Sequence, residues 1–547
     1  MDKILFIVPP HINFNDFINP SYNITTQQKK YGNYGNVSTD MPLGILSLSA
    51  YVKKLAAVET KLLDFNIVLN KMERFEFQSF AEFFRSYLSV PGWADPAPGI
   101  IGISALFTPS YRNVLDIARC CRDMFPGAII VAGGGVPTNM YKEIFRDSTC
   151  FDALCYGEGE RPLLGLVDAD NKLQHLKENP SWITREKVES GQAFQHDFIE
   201  NLDEIPFYDY GICETGEYGL NPAITAYASI EEKKQNFHVM TSRGCTHHCC
   251  FCASHTVHGR NMRYHSITRV REDFKRLKEQ YGAKTIVVQD DHFMANKQRA
   301  MEILGIIKEL QFVPVFQNAL ALYALDRKFL EVLKDAGIDQ LPLAVESGSN
   351  RVLKEIMHKP LNLDIVKRVA DDCRDLEIYT NVNILIGLPG ETKRDIEDAR
   401  AFLKTINANW FIILCATPLV GSEMLEICLK KNYLKGSYTD CNYKKAIVET
   451  EDFSAEYVQE MAYVLNLELN FVENSDFRLG NYELALKGFE NAIRAKNDHA
   501  IAYYCAARCY EKLGNLEKAQ KYMCTAKVIT TEKPFWRKYA DTFNIPI

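Results

Sequence analysis

Short apolar runs and stretches of helical spacing take turns along most of this chain, and that alternation restricts the fold more than any other feature. "KILFIV" (3–8), "TKLLDF" (60–65), "IIGISAL" (100–106), "AIIVAGG" (128–134) and "DALCYG" (152–157) read as buried strands. Between them, "LGILSLSAYVKK" and "YRNVLDIARCCRDMF" place apolar residues at helical intervals. Strand and helix repeated in this way predict a doubly wound parallel sheet over residues 1–168. Such sheets bind ligands beyond the carboxyl ends of their strands. Those ends carry Ser104 to Leu106, the glycines Gly133, Gly134 and Gly135, and "GEGE" at 157–160. Glycines there either let a ligand approach the backbone or simply turn the loop.

Residues 169–234 lack a clear period and contain "NPSW", "EIPFYDY" and "LNPAI", as expected of a linker with a few short elements. A second alternation occupies 235–430, with strands at "FHVMTS", "TIVVQDD", "VFQNAL", "QLPLAVES", "TNVNILIG" and "WFIILCAT". Its helices are expected at 267–281, 296–310, 326–336, 349–357 and 391–406. Six units fall short of the eight of a closed barrel, so this segment predicts an open, partial (β/α)6 TIM-like barrel. After a connecting segment at 431–464, residues 465–547 repeat themselves. "LGNYELALKGFENAI" and "LGNLEKAQKYMCTAK" align at an offset of 34 residues, matching Gly480 with Gly514, Ala485 with Ala519 and Ala492 with Ala526. Helical throughout, with Tyr503 and Tyr510 at the large positions between, this resembles tetratricopeptide repeats closed by "EKPFWRKYADTF". The fold class is α/β with C-terminal all-α helical repeats.

A chain of 547 residues exceeds what one core usually supports. The net charge of −7 supplies no basic face for nucleic acid. The N-terminal "MDKILFIVPP" reads as a buried strand rather than a signal peptide, and no apolar run approaches the ~18 residues of a membrane span. A cytoplasmic location without membrane partners is the expectation. Sixteen scattered cysteines are then mostly reduced core residues.

One cluster departs from that background. "TSRGCTHHCCFCAS" (241–254) places Cys245, Cys249 and Cys252 in a C-x3-C-x2-C pattern just after the first strand of the second alternation. Three thiolates can hold three irons of a [4Fe–4S] cube and leave the fourth without a protein ligand. They can also close a Cys3His zinc knuckle with His247, His248, His255 or His258.

The cluster and its surroundings resemble the radical S-adenosylmethionine (SAM) superfamily. "AVESGSNRVLKEI" (344–356) is similar to that family's fourth strand and following helix, "NILIGLPGET" (383–392) to its fifth-strand motif, and "CATPLVGSEM" (415–424) to its sixth-strand exit. The resemblance implies that Cys245, Cys249 and Cys252 bind a [4Fe–4S] cluster whose open iron chelates SAM, with Cys250 left over. It further implies that Phe251 lies near the adenine, Glu346 and Ser347 by the ribose, and the Gly387 backbone along the adenine. Asp290 and Asp291 stand where the family carries a carboxylate for the SAM amine, without deciding between them. Asn383 replaces a usual glycine.

With the first domain included, the chain resembles the cobalamin-dependent branch of that family. The corrinoid would lie on the first sheet, beside Ser104, Leu106 and Gly133 to Gly135. An Asp-x-His-x-x-Gly motif is absent where the chain reads "PPHINFND", which argues against a lower histidine ligand from His11. The resemblance implies methylation of an unactivated carbon through a 5′-deoxyadenosyl radical and methylcobalamin. A cyclase or rearrangement enzyme without net methylation is the alternative within the family, and a non-catalytic metal-binding repeat scaffold the alternative outside it. Expected partners are a small-molecule or peptide substrate, an electron donor such as flavodoxin or ferredoxin, and a protein partner or a second copy at the repeats. Strand positions suggest His292, Asn318 and Tyr379 as pocket residues.

Overall fold

The computed structural model describes residues 2–20, 26–94, 96–219, 235–440 and 444–547. The "LNPAI" end of the expected linker lies outside them. The chain forms two compact units: Met1–Asn221 with Lys234–Phe312 and Pro418–Asn442, and Pro222–Lys233 with Val313–Thr417 and Tyr443–Ile547.

In the first unit, a six-stranded sheet runs Val58–Asp64, Asp2–Val8, Ile100–Ser104, Ile129–Gly133, Ala153–Cys155, Trp182–Ile183. The first five strands are parallel. Their side chains alternate between two cores because a strand has a period of two. Leu5, Ile7, Ile101 and Ile103 join one apolar cluster, whereas Ile4, Phe6, Val8 and Ile100 join the other. Both faces being covered, the strand Asp2–Val8 is apolar without interruption from Ile4 to Val8. The sixth strand is antiparallel, pairing Leu154 with Ile183, and lies inside the segment expected to be linker. Trp182, 2 % exposed, gives that two-residue strand its anchor. A hairpin of Thr26–Lys29 and Gly32–Gly35 was not foreseen either. The order places a topological switch between Asp2–Val8 and Ile100–Ser104, where ligands of open α/β sheets bind.

The same unit holds the start of the second alternation. Asn236–Val239 pairs in parallel with Thr285–Val288. The helices Ile267–Tyr281 and Lys297–Glu309 follow, each capped by a side chain, Ser266 and Asn296 respectively.

The second unit holds Val313–Phe316 and a parallel sheet of Gln340–Glu346, Tyr379–Ile386 and Trp410–Cys415. Where a helix was expected at 349–357, the chain makes a π-helical turn at Val352–Ile356. Lys393–Leu403 starts with a capping box from Thr392 and Asp395. Trp410–Cys415 is shielded by Ala455–Leu467 and by the π turn Glu468–Val472, whose Asn470 accepts from the Phe411 N–H at 2.7 Å and donates to its carbonyl at 2.8 Å. That side chain occupies the hydrogen bonds an open edge would offer. The helices Tyr482–Ala495, Ala500–Lys512, Leu516–Glu532 and Pro534–Thr542 stack in succession. Gly480 and Gly514, matched in the repeat, both take left-handed backbone conformations, with φ of 85° and 79°.

Candidate active site

A short antiparallel pairing carries the cysteine loop: Ser242 faces Tyr264, and Arg243 faces Arg263. Gly244 opens the loop at φ 95°, and a Cβ there would sit 2.3 Å from the Asn261 carbonyl, so only glycine lets the two ends close. Cys252 N–H donates to the Cys249 carbonyl at 3.1 Å, and the turn His255–His258 brings Gly259 back toward the Cys245 N–H. Two buried arginines fasten the base of this loop to the "GEGE" segment. Arg263 meets Glu158 through two nitrogens at 2.9 and 2.7 Å, and Arg243 meets Glu160 at 2.6 Å and Glu158 at 3.2 Å. Ser47 bonds both Glu160 and Arg243. Every charge in the group has a partner, as burial requires.

The four thiols fall into two environments. Cys245, Cys249 and Cys252 are partly exposed. Cys250 is 3 % exposed; its thiol sits among Glu423 and Cys428, its carbonyl accepts from Met424 N–H at 2.9 Å, and burial pushes the thiol up to about 12. Among the described residues, no three His, Cys, Asp or Glu side chains converge on a single ion. A zinc knuckle needs its donors gathered around one atom, whereas a four-iron cube takes one thiolate at each of three corners. Three partly exposed thiols at C-x3-C-x2-C spacing are compatible with the cube.

The adjacent carboxylates are also unlike one another. Asp290, fully buried, accepts from Thr241 N–H at 2.6 Å, Thr241 Oγ1 at 2.7 Å and Ser242 Oγ at 2.5 Å. Its carboxylate is occupied in tying the strand Thr285–Val288 to the entry of the cysteine loop. Asp291 turns to the loop itself, 2.8 Å from His258 Nδ1. Burial opposes its charge, yet His258 and the Gly244 N–H hold the carboxyl below its ordinary range. It lies within electrostatic reach of Cys245. The His292 ring lies 4.7 Å from that of His247, tilted by 32°, and burial followed by that neighbour lowers its pKa to about 4. Phe251 is half-buried on the same loop.

At the switch of the first sheet, Ser104 faces Gly133 in register and Ala105 N–H donates to the Gly133 carbonyl at 2.9 Å. Gly134 has φ 102°, and a Cβ on it would lie 2.7 Å from the Ala105 carbonyl; one on Gly135 would lie 3.1 Å from that of Leu106. The glycines therefore bring Ser104, Leu106 and their own loop together. Beside them Leu106 and Phe107 are 59 % and 41 % exposed, an apolar shelf in a crevice where ligands bind. His11 packs edge-on to Phe107 at 4.9 Å, and burial drops its pKa to about 4, leaving a neutral imidazole. Exposed apolar side chains beside a glycine loop are compatible with a corrin, whose ring face is apolar and whose rim carries amides.

In the second unit, Glu346 closes its strand at φ 68°, after a bulge in the pairing with Tyr379–Ile386. Ser347 is buried and accepts from Ser349 N–H at 3.1 Å. Gly387, at φ 88°, begins the exit of the next strand, where Glu391 accepts from Gly387 N–H at 2.6 Å and Leu388 N–H at 3.1 Å. Of the suggested pocket residues, Asn318 is exposed just past the carboxyl end of Val313–Phe316. Tyr379 instead opens its strand at the amino end, the wrong end for a ligand of parallel strands. Sequence reasoning singled out neither Glu391 nor Lys359, and offered His258 only as a zinc ligand, because their contacts run across loops.

Residues 239–403 match the radical SAM superfamily, and residues 90–167 match the B12 binding domain. The chain thus carries a radical SAM domain and a B12-binding domain and is an enzyme whose cofactors are a [4Fe–4S] cluster, SAM and cobalamin. It is 27 % identical over 403 residues to the cytidylyl-2-hydroxyethylphosphonate methyltransferase of Streptomyces wedmorensis, covering 68 % of this chain and 75 % of that one. It is 26 % identical over 432 residues to an uncharacterized methyltransferase of Pyrococcus horikoshii, covering 78 % and 86 %. Its fold is similar to that of the cobalamin-dependent S-adenosylmethionine radical enzyme OxsB, with a TM-score of 0.60, 15 % identity, and coverage of 99 % and 81 %. No helix among the described residues is long and apolar enough to cross a membrane.

Proposed function

We propose that this enzyme methylates an unactivated carbon of a small molecule. The observation that carries the reading is the joining of a cysteine loop fit for an open [4Fe–4S] cluster to a sheet whose switch crevice offers a cobalamin shelf. When bound, the cluster and SAM supply a hydrogen-abstracting radical, and cobalamin supplies a methyl group. The protein's own part is to bind, orient and shield. Cys245, Cys249 and Cys252 hold the cluster, and Cys250 stays in the core. Asp291, aimed at the loop and kept ionised, receives the SAM amine, while Asp290 braces the loop entry. Phe251 and the Gly387 backbone flank the adenine, and Glu346 and Ser347 meet the ribose. Ser104, Leu106 and Gly133 to Gly135 seat the corrinoid, with no histidine ligand from His11. Methyltransferases among the relatives agree with the choice of reaction.

Strand and helix alternation over 235–430 supports the open, six-unit barrel, and the 34-residue offset with its paired left-handed glycines supports tetratricopeptide-like repeats at 465–547. The exposed repeat surface is where a protein partner or a second copy would dock, and a flavodoxin- or ferredoxin-type donor supplies the electron.

Anaerobic purification with iron, sulfide and cobalt analysis tests the cofactors. Incubation with SAM and cytidylyl-2-hydroxyethylphosphonate as a first probe should then yield S-adenosylhomocysteine and 5′-deoxyadenosine together. Failure to take up corrinoid on reconstitution overturns the proposal, and 5′-deoxyadenosine alone with a turned-over substrate assigns the chain to the cyclase or rearrangement reaction.

A further inference from the structure

We propose that Lys359 is a positioning residue that holds the Glu346 carboxylate in place to accept the ribose hydroxyls of SAM. The inference rests on the ribose-side role of Glu346 given above. Glu346 is a non-glycine residue in the left-handed region, φ 68°, immediately after the bulge that shifts its register against Tyr379–Ile386. Such a conformation is disfavoured for a residue with a Cβ and persists where the surroundings impose it, commonly at functional sites.

The segment that follows is built in an equally unusual way, and its construction delivers one side chain. Ser347 Oγ accepts from Ser349 N–H, which sets the turn out of the strand. The chain then makes the π turn Val352–Ile356, with Met357 N–H bonding the Val352 carbonyl at 2.8 Å. His358 takes a second left-handed conformation, φ 53°, and Lys359 N–H returns to the Leu353 carbonyl at 2.8 Å. A π turn inserts an extra residue into a helical path and is frequent at functional sites. Here it turns the chain back so that Lys359 Nζ stands 3.5 Å from Glu346 Oε1, with the two side chains 17 % and 12 % exposed.

The charge of the pair matters to a diol. An ionised carboxylate only accepts, and two adjacent hydroxyls can each donate to it; a protonated carboxyl spends one oxygen as a donor. Burial pushes the Glu346 carboxyl upward, toward the protonated form, and the Lys359 ammonium opposes that push. Lys359 Nζ approaches Glu346 at Oε1, and on this proposal the other oxygen serves the ligand.

The test uses the full chain with its cluster reconstituted anaerobically, titrated calorimetrically with SAM and with its 2′,3′-dideoxy analogue. Lys359→Met should weaken SAM roughly tenfold, the loss expected for one charge-assisted hydrogen bond. Lys359→Arg should restore affinity to within about threefold. The dideoxy analogue should bind wild type and Lys359→Met alike, because the groups that Glu346 serves are missing. Iron content and circular dichroism confirm that each variant is loaded and folded, and Lys359→Gln serves if the methionine variant is not. Equal losses for SAM and the analogue would make Lys359 merely structural. Unchanged SAM affinity in Lys359→Met while Glu346→Gln is weakened would overturn the inference and spare the ribose role. Unchanged affinity in Glu346→Gln would overturn both.

Discussion

Cys250 sits between two cysteines of the same loop, yet its thiol is withdrawn into the core beside Cys428 while its neighbours stay partly exposed. Serine there should leave the cluster in place. Cys250→Ser is expected to keep its iron and sulfide and the paramagnetic signal of the reduced cluster, at a modest stability cost of about 1 kcal/mol for a buried polar replacement. Serine at Cys245, Cys249 or Cys252 should lose the signal. Spacing made this division legible, because ligand spacing is local. The choice between Asp290 and Asp291 was not, since neighbouring residues leaving a strand point to opposite sides and only the fold says which side holds the loop. Glu391 was equally hidden. Fully buried, with Oε1 unpaired, its carboxyl is pushed by burial from 4.5 to about 7, against the two backbone N–H groups that favour the charge. Because the folded value exceeds the unfolded one, the native state binds the extra proton. Stability at this site is therefore complete below about pH 4.5, is lost as pH rises toward 7, and stays low above it, a change of about 3 kcal/mol. Glu391→Gln should gain on wild type across that window in urea denaturation followed from pH 5 to pH 8, and a pH-independent difference would contradict the buried, proton-binding carboxyl.

Among the elements, the long apolar strands were readable and the special turns were not. Asp2–Val8 and Ile100–Ser104 announce themselves because both faces are buried, which leaves the apolar runs Ile4 to Val8 and Ile100 to Ile103. Trp182–Ile183 has two residues and no periodicity to detect; its place in the sheet follows from Trp182 filling the core beside Leu163 and Leu166. The π turn Val352–Ile356 looks like an ordinary helix in sequence because its apolar residues still fall on one side. The glycine run was visible but ambiguous, and the geometry assigns it to a close approach between two loops. Gly134→Ala adds a Cβ 2.7 Å from the Ala105 carbonyl at φ 102°, where alanine is strained whatever the space. The substitution should cost on the order of 2–3 kcal/mol, combining backbone strain and a steric shift. It should also spread Ala105 from Gly133 and so lower corrinoid uptake, measured as cobalt bound per chain after reconstitution. Gly191→Ala, also left-handed but with open space around it, is the control that carries strain without the clash.

At the scale of the molecule, sequence alternation disclosed the α/β series but not what ties them together. The C-terminal helices are no free appendage: Arg374 bonds Asp476 at 2.6 Å, Arg400 bonds Glu468 at 2.6 Å, and Phe471 joins the core formed by Phe489 and Trp536. In the first unit the tie is the buried group Glu158, Glu160, Arg243 and Arg263, which joins the end of the first sheet to the base of the cysteine loop. "GEGE" suggested a ligand loop in sequence, and its acids prove to be the partners of two arginines that lie far along the chain. Buried pairs of this sort add little against an apolar replacement but are severe to break singly, because the surviving charge has no water. Arg263→Met leaves Glu158 facing Arg243 alone and should cost about 3–5 kcal/mol. The double variant Arg263→Met with Glu158→Met removes the negative charge left in excess and should recover much of that loss, by about 1–3 kcal/mol relative to the single change. Urea denaturation of the three proteins gives the comparison, with iron content measured in parallel. If the group positions the loop, both variants lose iron more readily than wild type even where stability recovers. Additive losses in the double variant would instead mean that the two side chains act independently, and the loop would then owe its place to Gly244 and to the strand pairing alone.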